Sequence, residues 1–460
     1  MTKNPLRALV VLILVLGSTR AFAQNTSSDA RRIALGGVGT SDNPGTEMID
    51  AERPYRSIVI PFGLFQILRD ASVFDPASNN FNPIRAIEYA ASPLHYVIGR
   101  EDSPAALQFA TDIRNATVSR DLNAYRGFTP PNAILAEGLA SPNWGGTIKL
   151  HRGAGGSFQG LYVGVGPYLS MRTSAVFPTA LTDIWASPTA VSVPRLASFP
   201  QITDDTLGQA ALAVTGGYRG RYAVGGLGGS ERDGVYVAVN YNYLRGFRYE
   251  NAHMGVRLDT DPFGLLFVNP LLPSPVVVTR QYASSGNGFA IDAGVGVVVD
   301  HWEVGAGAKG LANRLSWTGV QQTTYALGDP TKPILLNLLS NGNASFAGVG
   351  PIPIEDARVE LPVDYSGNIA YHTSLWTALA DVGHGFQGTT FHSGLEARLS
   401  VFELRGGMRY SSEVWNPSGG IGFNISRRIG IDLAAFGTSA NLERTRHIAL
   451  AASIRINSRR

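Results

Sequence analysis

The chain has 460 residues, of which 53 are glycine and 16% are charged. It contains no cysteine, which excludes disulfide bonds, thiol catalysis and thiolate metal sites. Its 38 basic and 35 acidic residues nearly balance, so a strongly basic surface of the kind that binds nucleic acid is excluded as well.

The first 23 residues are typical of a cleaved export signal. Lys3 and Arg7 form the positive start, residues 8–17 form the apolar core, and Ala21-Phe22-Ala23 is an A-x-A cleavage site. Cleavage before Gln24 removes three basic residues and no acidic one, which leaves 35 residues of each sign. The sequence therefore predicts an exported protein whose mature chain has a formal net charge of zero.

Residues 24–54 form a short region rich in glycine and polar residues. Gly36, Gly37 and Gly39 allow a compact and sharply bent backbone. Two interpretations remain open at this point. The region is either a simple N-terminal loop or a plug that folds into the mouth of a barrel, and in the second case the three glycines lie on the path of a ligand.

Residues 55–144 hold a first strand and an insertion. The stretch YRSIVIPF predicts a strand that begins at Tyr55. Residues 63–143 then lack two-residue alternation, and Ser103 followed by Pro104 predicts the start of a helix. Because irregular backbone cannot face lipid, this partly helical insertion is expected in the lumen, over the mouth or in the periplasm.

Residues 145–460 alternate apolar with small or polar residues in one segment after another. In the last segment Ile448, Leu450 and Ile454 share one face, and Ser453 and Arg455 share the other. The repetition predicts an all-β fold, a transmembrane antiparallel β-barrel of about 14 strands within a range of about 12 to 18. Outer-membrane lipid is the expected surrounding of its apolar face.

The breaks between these segments differ in length. Short turns are predicted at Gly220-Arg221, Arg245-Gly246 and Arg427-Arg428, and long loops at 173–209, 259–275 and 328–356. Two long loops contain apolar residues that either form an apolar mouth for a ligand or pack on the barrel wall. These candidate mouth residues are Phe263, Leu265, Leu266, Phe267, Leu335 and Leu336.

Motifs of enzymes and metal sites lack the context that they require. Gly305–Gly310 matches G-x-G-x-x-G but lies inside an alternating strand instead of opening a helix. His384 and His392 flank a turn, yet no third ligand has a suitable spacing for a metal. Strand charges such as Glu396 and Arg405 are expected to point into a wet lumen, where they pair or set pore selectivity. No catalytic residue, cofactor or metal is expected.

The C-terminal third resembles the end of FadL/PorV-type outer-membrane barrels. The matching pieces are FHSGLEARL at 391–399, ELRGGMRY at 403–410 and GIDLAAF at 430–436. In addition, ARRIALGGVGTS at 30–41 is similar to the opening segment of the family, which belongs to the plug in the fatty-acid transporters. The resemblance implies a fourteen-stranded barrel, although the chain ends SIRINSRR, without the terminal aromatic residue typical of assembly signals.

The resemblance implies one of two functions in the outer membrane of a Gram-negative-type bacterium. A FadL-like barrel would let hydrophobic small molecules or lipids cross passively, with a hydrophobic small-molecule cargo as its partner. A PorV-like barrel would dock exported proteins of a secretion system, with an exported protein as its partner. On either interpretation the domains are a signal peptide at 1–23, a plug-like segment at 24–54, a first strand with insertion at 55–144 and the main barrel at 145–460.

Overall fold

A computed structural model describes most of the chain beyond residue 28. The described residues are 29–38, 44–50, 55–75, 78, 80–82, 85, 89, 94–99, 103–114, 119–129, 133–140, 144–224, 230, 232–267, 276–327, 346–385, 388–411, 414–426, 428–438 and 445–457. The expected signal peptide lies outside them, as do Gly39, Leu335 and Leu336.

Strands dominate the described residues, and five short helices lie among the described residues up to 186. The helices are α1 (Ala30–Ala34), α2 (Pro44–Asp50), α3 (Phe62–Arg69), α4 (Pro104–Arg114) and α5 (Thr179–Ala186). The strands are β1 (Tyr55–Ile60), β2 (Tyr96–Ile98), β3 (Ala133–Ala140), β4 (Trp144–Arg152), β5 (Phe158–Val176), β6 (Ile202–Tyr222), β7 (Gly234–Val256), β8 (Asp259–Thr260), β9 (Leu266–Phe267), β10 (Val276–Ala283), β11 (Ser285–Val299), β12 (Trp302–Thr318), β13 (Gln321–Leu327), β14 (Phe346–Pro353), β15 (Ala357–Val359), β16 (Asp364–His372), β17 (Trp376–Gly385), β18 (Gly388–Leu399), β19 (Phe402–Ser411), β20 (Val414–Asn424), β21 (Ile429–Thr438) and β22 (His447–Asn457).

Twenty of these strands form one antiparallel sheet, which confirms the all-β fold class and the antiparallel barrel wall. The expected number of about 14 strands was wrong for the described segments, which form 20 strands in this sheet. The number is larger because in some positions of the sheet two short strands pair, one after the other, with the same long strand. β1 and β2 both pair with β22, and β3 and β4 both pair with β5. Four further strands, β10 and β13 to β15, pair above the wall at one end. When these four strands are set aside, and when β1 with β2 and β3 with β4 are each counted as one strand, fourteen strand positions remain across the described sheet.

The wall has an apolar outward face and a polar inward face. On β7, Val239, Tyr241 and Tyr243 are 42%, 51% and 46% exposed, whereas Asn240 and Asn242 between them are buried. The other long strands repeat this alternation. A sheet in water buries its apolar face and exposes its polar one, so the polarity of this wall is reversed. The reversal agrees with lipid outside and a polar lumen inside.

Aromatic side chains gather on the outward face at both ends of the wall. At the end with short connections, the Tyr371 ring lies 4.6 Å from Trp302 and 5.1 Å from Trp376, measured between ring centroids. Near the other end, Tyr410 lies 5.0 Å from Trp415. Tyrosine and tryptophan at two levels are typical of the two interfaces between a membrane and water.

The two ends of the wall differ, and we name them by their connections. The turn end has tight links such as Ser400-Val401, where Ser400 has a φ of 57°. The loop end has long links, including 177–201 and 257–275. Two expected turns were wrong, because Gly220-Arg221 lies inside β6 and Arg245-Gly246 lies inside β7.

β6 and β7, with 21 and 23 residues, run on past the wall at the loop end. There they join β10, β13 and β14 in a smaller sheet, which we call the extension. Ile202 of the extension lies on the same face of β6 as the outward Leu212 and Val214. A hydrophobic core covers that face and contains residues of the insertion and of the loops: Ala105, Ala106, Leu122, Tyr125, Phe128, Leu181, Ile184, Trp185, Phe199, Val256, Leu258, Leu266 and Val276.

The insertion residues 103–114 and 119–129 therefore lie beside the extension and outside the lumen. The expected start of a helix in this insertion is confirmed, because the Ser103 hydroxyl accepts a hydrogen bond from the Ala106 N–H of α4 at 3.1 Å. Burial raises the pKa of the Tyr125 hydroxyl, which donates a hydrogen bond to Asp112 at 2.9 Å. The insertion also contributes β2 and β3, although its sequence lacks clear alternation.

The two edges of the large sheet are formed by β1 together with β2 and by β3 together with β4. Within the described residues, no backbone pairing joins these two edges to each other. Beside β2, the Gln66 side chain of α3 donates to the Val97 carbonyl and accepts from the Val97 N–H, both at 3.0 Å. The amide thus makes the two hydrogen bonds that a neighbouring strand would make.

No helix among the described residues is long and apolar enough to span a membrane.

Candidate functional site

The N-terminal segment, residues 29–38 and 44–50, lies against the inward face of the wall. α1 contacts β19, β20, β21 and β22, and α2 contacts β7, β11 and β12. These two groups of strands lie far apart in the ladder, so the sheet curves around the segment. The inward face and this segment together form the candidate site.

α1 is tied to the wall by Asp29, the residue just before the helix. The Asp29 carboxylate accepts a hydrogen bond from the Arg31 N–H at 3.0 Å, which caps the helix. The same oxygen accepts from the hydroxyls of Ser57 on β1 and Ser453 on β22, each at 3.2 Å. One carboxylate therefore starts the helix and joins it to two neighbouring strands.

The end of α1 turns sharply through two of the predicted glycines. Gly36 and Gly37 have φ angles of 74° and 90°, a left-handed backbone that residues with a side chain rarely adopt. The Gly36 N–H donates to the Ser418 hydroxyl at 3.0 Å, and that hydroxyl donates to the Ala34 carbonyl at 3.2 Å. The glycines allow the turn, and Ser418 satisfies polar groups at the end of the helix.

Glycines of the wall make room for this turn. A Cβ atom on Gly407 would lie 2.2 Å from the Gly36 nitrogen, and one on Gly394 would lie 2.5 Å from the Leu35 oxygen. Gly394 and Gly407 are directly paired on β18 and β19. Backbone therefore packs on backbone here, and any side chain on these wall glycines would push the segment into the lumen.

A buried charge cluster lies beside the turn and includes one arginine of the segment. Arg31 donates two hydrogen bonds to Glu396, at 2.8 and 3.0 Å, and Arg405 donates to the same carboxylate at 2.8 Å. The cluster contains four arginines and three carboxylates: Arg31, Arg398, Arg405, Arg455, Glu396, Glu403 and Asp432. Because Glu396 is fully buried, its ionised form depends on these guanidinium groups.

α2 packs on the opposite part of the wall through apolar contacts. Ile49 is 1% exposed and belongs to a core that also includes Tyr236 and Val298. At the edge of this contact, the Glu47 carboxylate lies 3.7 Å from Arg219, whose guanidinium stacks on a tyrosine ring. The segment is therefore held at both of its described ends, by polar contacts at α1 and by apolar contacts at α2.

The two histidines considered for a metal have different surroundings. His392 faces the lumen next to Gly37 and lies 2.5 Å from an oxygen of Asp381 on the adjacent strand. His384 is exposed and lies 2.8 Å from the Thr389 hydroxyl. Among the described residues, no group of three or more possible ligands could hold a metal ion.

The candidate mouth residues are divided between surface and core. Phe263 is 81% exposed at the loop end, Leu265 is half-buried, and Leu266 is 7% exposed in the core beneath the insertion. Phe267 lies in β9. The structure thus places one of these residues at the surface and packs another into a core.

Sequence reasoning missed several residues of the site. Ser57, Ser418 and Ser453 carry no signal beyond their place on the small-residue face of a strand. The pairing of Arg31 with Glu396 joins residues that are 365 positions apart. Gly394 and Gly407 could have been noticed as glycines inside alternating strands, which often mark a close approach of another backbone.

Comparisons with known proteins give solved structures alone. No family model matches the chain, and no curated protein matches it. The toluene transporter TbuX of Ralstonia pickettii is similar at 14% identity and a TM-score of 0.31, over 76% of this chain and 93% of that one. A mutant of TodX, a monoaromatic hydrocarbon channel, is similar at 12% identity and a TM-score of 0.33, over 72% and 91%.

The toluene transporter TodX of Pseudomonas putida is similar at 11% identity and a TM-score of 0.26, over 66% of this chain and 90% of that one. These are hydrocarbon transporters of the class that the sequence resemblance named.

Proposed function

We propose that the chain is an outer-membrane barrel through which hydrophobic small molecules cross passively, with the N-terminal segment as a plug. One observation carries the proposal: the wall has an apolar exterior and a charged interior, and that interior encloses the N-terminal segment. A wall of this polarity is stable where lipid covers its outside. A segment held inside such a wall restricts the opening through it.

The hydrophobic cargo is inferred from the sequence resemblance and from apolar side chains exposed at the loop end. Phe263 and Leu196 are 81% and 75% exposed on neighbouring loops, where they offer an apolar surface to a molecule arriving from outside. Transfer needs no chemistry, because a difference in affinity between the loops and the lumen is enough. Nothing in the described residues favours the alternative, docking of exported proteins.

Flux through reconstituted vesicles tests the proposal. Purified protein would be inserted into lipid vesicles, and entry of a monoaromatic hydrocarbon and of a fatty acid would be compared with entry of a charged solute of similar size. We expect faster entry of the hydrophobic solutes than in protein-free vesicles. Equal rates with and without the protein would refute transport.

The plug role has a separate test in a planar bilayer. Removing residues 24–54 should raise the conductance of the inserted protein, because the lumen loses the segment that fills it. The matched control is the full-length protein carrying Phe263→Ala, a change outside the lumen. A deleted protein that inserts and conducts like the full-length chain would refute the plug while leaving the transport proposal standing.

A further inference from the structure

A row of polar residues crosses the outward face of the wall just above its apolar band. The row runs from Arg245 on β7 to Asn287 on β11, Ser316 on β12 and Arg358 on β15, each directly paired with the next. One step lower, Arg314 on β12 is paired with Phe289 on β11. Three arginines therefore lie within four neighbouring strands, β7, β11, β12 and β15.

These arginines point outward and are exposed. Their neighbours along the strands, Leu244 and Leu315, are 1% and 3% exposed on the inward side. Arg245, Arg314 and Arg358 are each exposed, and none makes an ion pair or side-chain hydrogen bond with another part of the described chain. The exposed carboxylates Glu355, Asp356 and Glu360 lie within three positions of Arg358, whereas the residues paired directly with Arg245 and Arg314, Asn287 and Phe289, are uncharged. The positive charge of the patch is therefore concentrated at Arg245 and Arg314.

The position of the row matches the boundary of a membrane. Below Arg245, the outward residues of β7 are apolar or aromatic down to Val235. The ten-residue step between them spans about 33 Å along the strand at about 3.3 Å per residue. With a tilt of about 40°, the height is about 25 Å, which is the height of the apolar band of an outer-membrane barrel. Arg245 therefore lies where lipid head groups begin on the loop side.

The last residues below the row form an aromatic ledge. Tyr243 is 46% exposed, and the ring of Tyr241 stacks on Phe289 with centroids 6.1 Å apart. The acyl chain of a phospholipid can lie against these rings while the phosphate of the same lipid reaches the arginines above. Guanidinium groups bind phosphate with two parallel hydrogen bonds, so arginine suits this role better than lysine.

We propose that Arg245, Arg314 and Arg358 form a binding site for the phosphate of a lipid head group in the leaflet on the loop side. The inference rests on the proposed membrane location, but it concerns the outer surface and not the transport path. The chemistry that selects the ligand is an anionic phosphate attached to an acyl chain. The arginines supply the charge, and the aromatic ledge supplies the apolar contact.

Native mass spectrometry of the full-length protein in mild detergent tests the site. The probes are phosphatidic acid, diacylglycerol with the same acyl chains, and inorganic phosphate. We expect phosphatidic acid to bind at least about 10 times more tightly than diacylglycerol, since three arginines face one phosphate. Binding of inorganic phosphate as tight as that of phosphatidic acid would mean a free-anion site and would overturn the proposal.

Substitutions locate the site. The triple variant R245Q/R314Q/R358Q should bind phosphatidic acid at least about 10 times more weakly than the parent chain. The matched control R126Q/R195Q/R257Q removes three exposed arginines from the insertion and loops and should bind it like the parent. Unchanged binding by the first triple, or an equal loss in both triples, would refute the site.

The three single Arg→Gln variants serve if the triple variant does not fold. Each should weaken binding of phosphatidic acid by itself, and three singles with parent-like binding would refute the site. The outcome is independent of transport. Loss of lipid binding with unchanged hydrocarbon flux is the expected result, whereas a chain that does not insert into vesicles would contradict the proposed function instead.

Discussion

The contact between Arg31 and Glu396 offers the sharpest test of how the N-terminal segment is held. We consider the substitution Arg31→Gln, which shortens the side chain and removes its charge. In the structure, Arg31 makes two hydrogen bonds to a carboxylate that is fully buried, while 22% of the Arg31 side chain remains exposed. The substitution removes the one ion pair that joins α1 to the charge cluster among the described contacts.

The size of the effect follows from what remains after the change. Breaking a buried ion pair costs about 3–5 kcal/mol when the remaining charge is left alone. Here Glu396 keeps hydrogen bonds from Arg405 and Arg398, so its charge is still compensated. The loss is then closer to that of hydrogen bonds to a charged group, about 2 kcal/mol. Detachment of residues 29–38 should become about 30 times more frequent.

Hydrogen exchange followed by mass spectrometry measures this frequency. The Gly36 N–H donates to the Ser418 hydroxyl and to the Ile33 carbonyl of its own turn. Because a helix of one or two turns is not stable in water by itself, both hydrogen bonds depend on attachment to the wall, and the exchange of this amide reports detachment. We expect exchange in the peptide covering residues 29–38 to be about 30 times faster in Arg31→Gln than in the parent chain. Peptides from β6 and β7 should exchange at unchanged rates, because those strands are far from the contact.

The control removes a guanidinium from the same carboxylate without touching the segment. Arg398 lies on β18 and approaches Glu396 to 3.1 Å. Arg398→Gln should leave the exchange of residues 29–38 within a factor of about 3, since the segment keeps both of its own hydrogen bonds. Exchange of the segment that is equally slow in Arg31→Gln and the parent chain would refute the idea that this contact holds it.

Two further substitutions test the close packing and the lipid-facing wall. Gly407→Ala places a Cβ atom 2.2 Å from the Gly36 nitrogen and should lower the free energy of unfolding by about 1–3 kcal/mol, measured by urea titration in detergent micelles. Gly406→Ala is the control, because its Cβ atom would meet nothing within 4 Å; an equal loss in both variants would contradict the packing. Val239→Arg, at the middle of the outward face of β7, should cost about 2–4 kcal/mol in lipid vesicles. Phe263→Arg at an exposed loop should cost almost nothing, and equal costs would mean that lipid does not cover β7.

The sequence by itself determined the wall and the orientation of its side chains. Ser453 and Arg455, predicted to share the face opposite Ile448, are buried inside at 0% and 4%, whereas Ile448 is 56% exposed outside. This succeeded because the orientation of a side chain alternates along a strand, so it depends on residues next to each other in the chain. The start of α4 at Ser103-Pro104 was predictable for the same reason, because a helix cap is local.

The ends of β6 and β7 could not be placed from the sequence. Arg245-Gly246 was interpreted as a turn, since charge and glycine interrupt the apolar face there. In the structure the strand continues through this pair into the extension, and what changes at Arg245 is the surroundings of the outward face. The apolar pattern of a sequence can therefore end either where a strand ends or where the strand leaves the membrane. Here the pairing of β7 with β6 and β11 shows that the strand continues.

The interior of the site was decided by the tertiary structure. The sequence predicted that strand charges such as Glu396 and Arg405 point into the lumen, where they either pair or set pore selectivity, and in the structure these two side chains lie 2.8 Å apart. It did not predict that Arg31 joins them, or that Gly407 leaves room for the turn at Gly36. Strand pairing places each inward residue only relative to its own neighbours. The position of a segment inside the wall depends instead on how the whole sheet curves, which no local pattern of residues records.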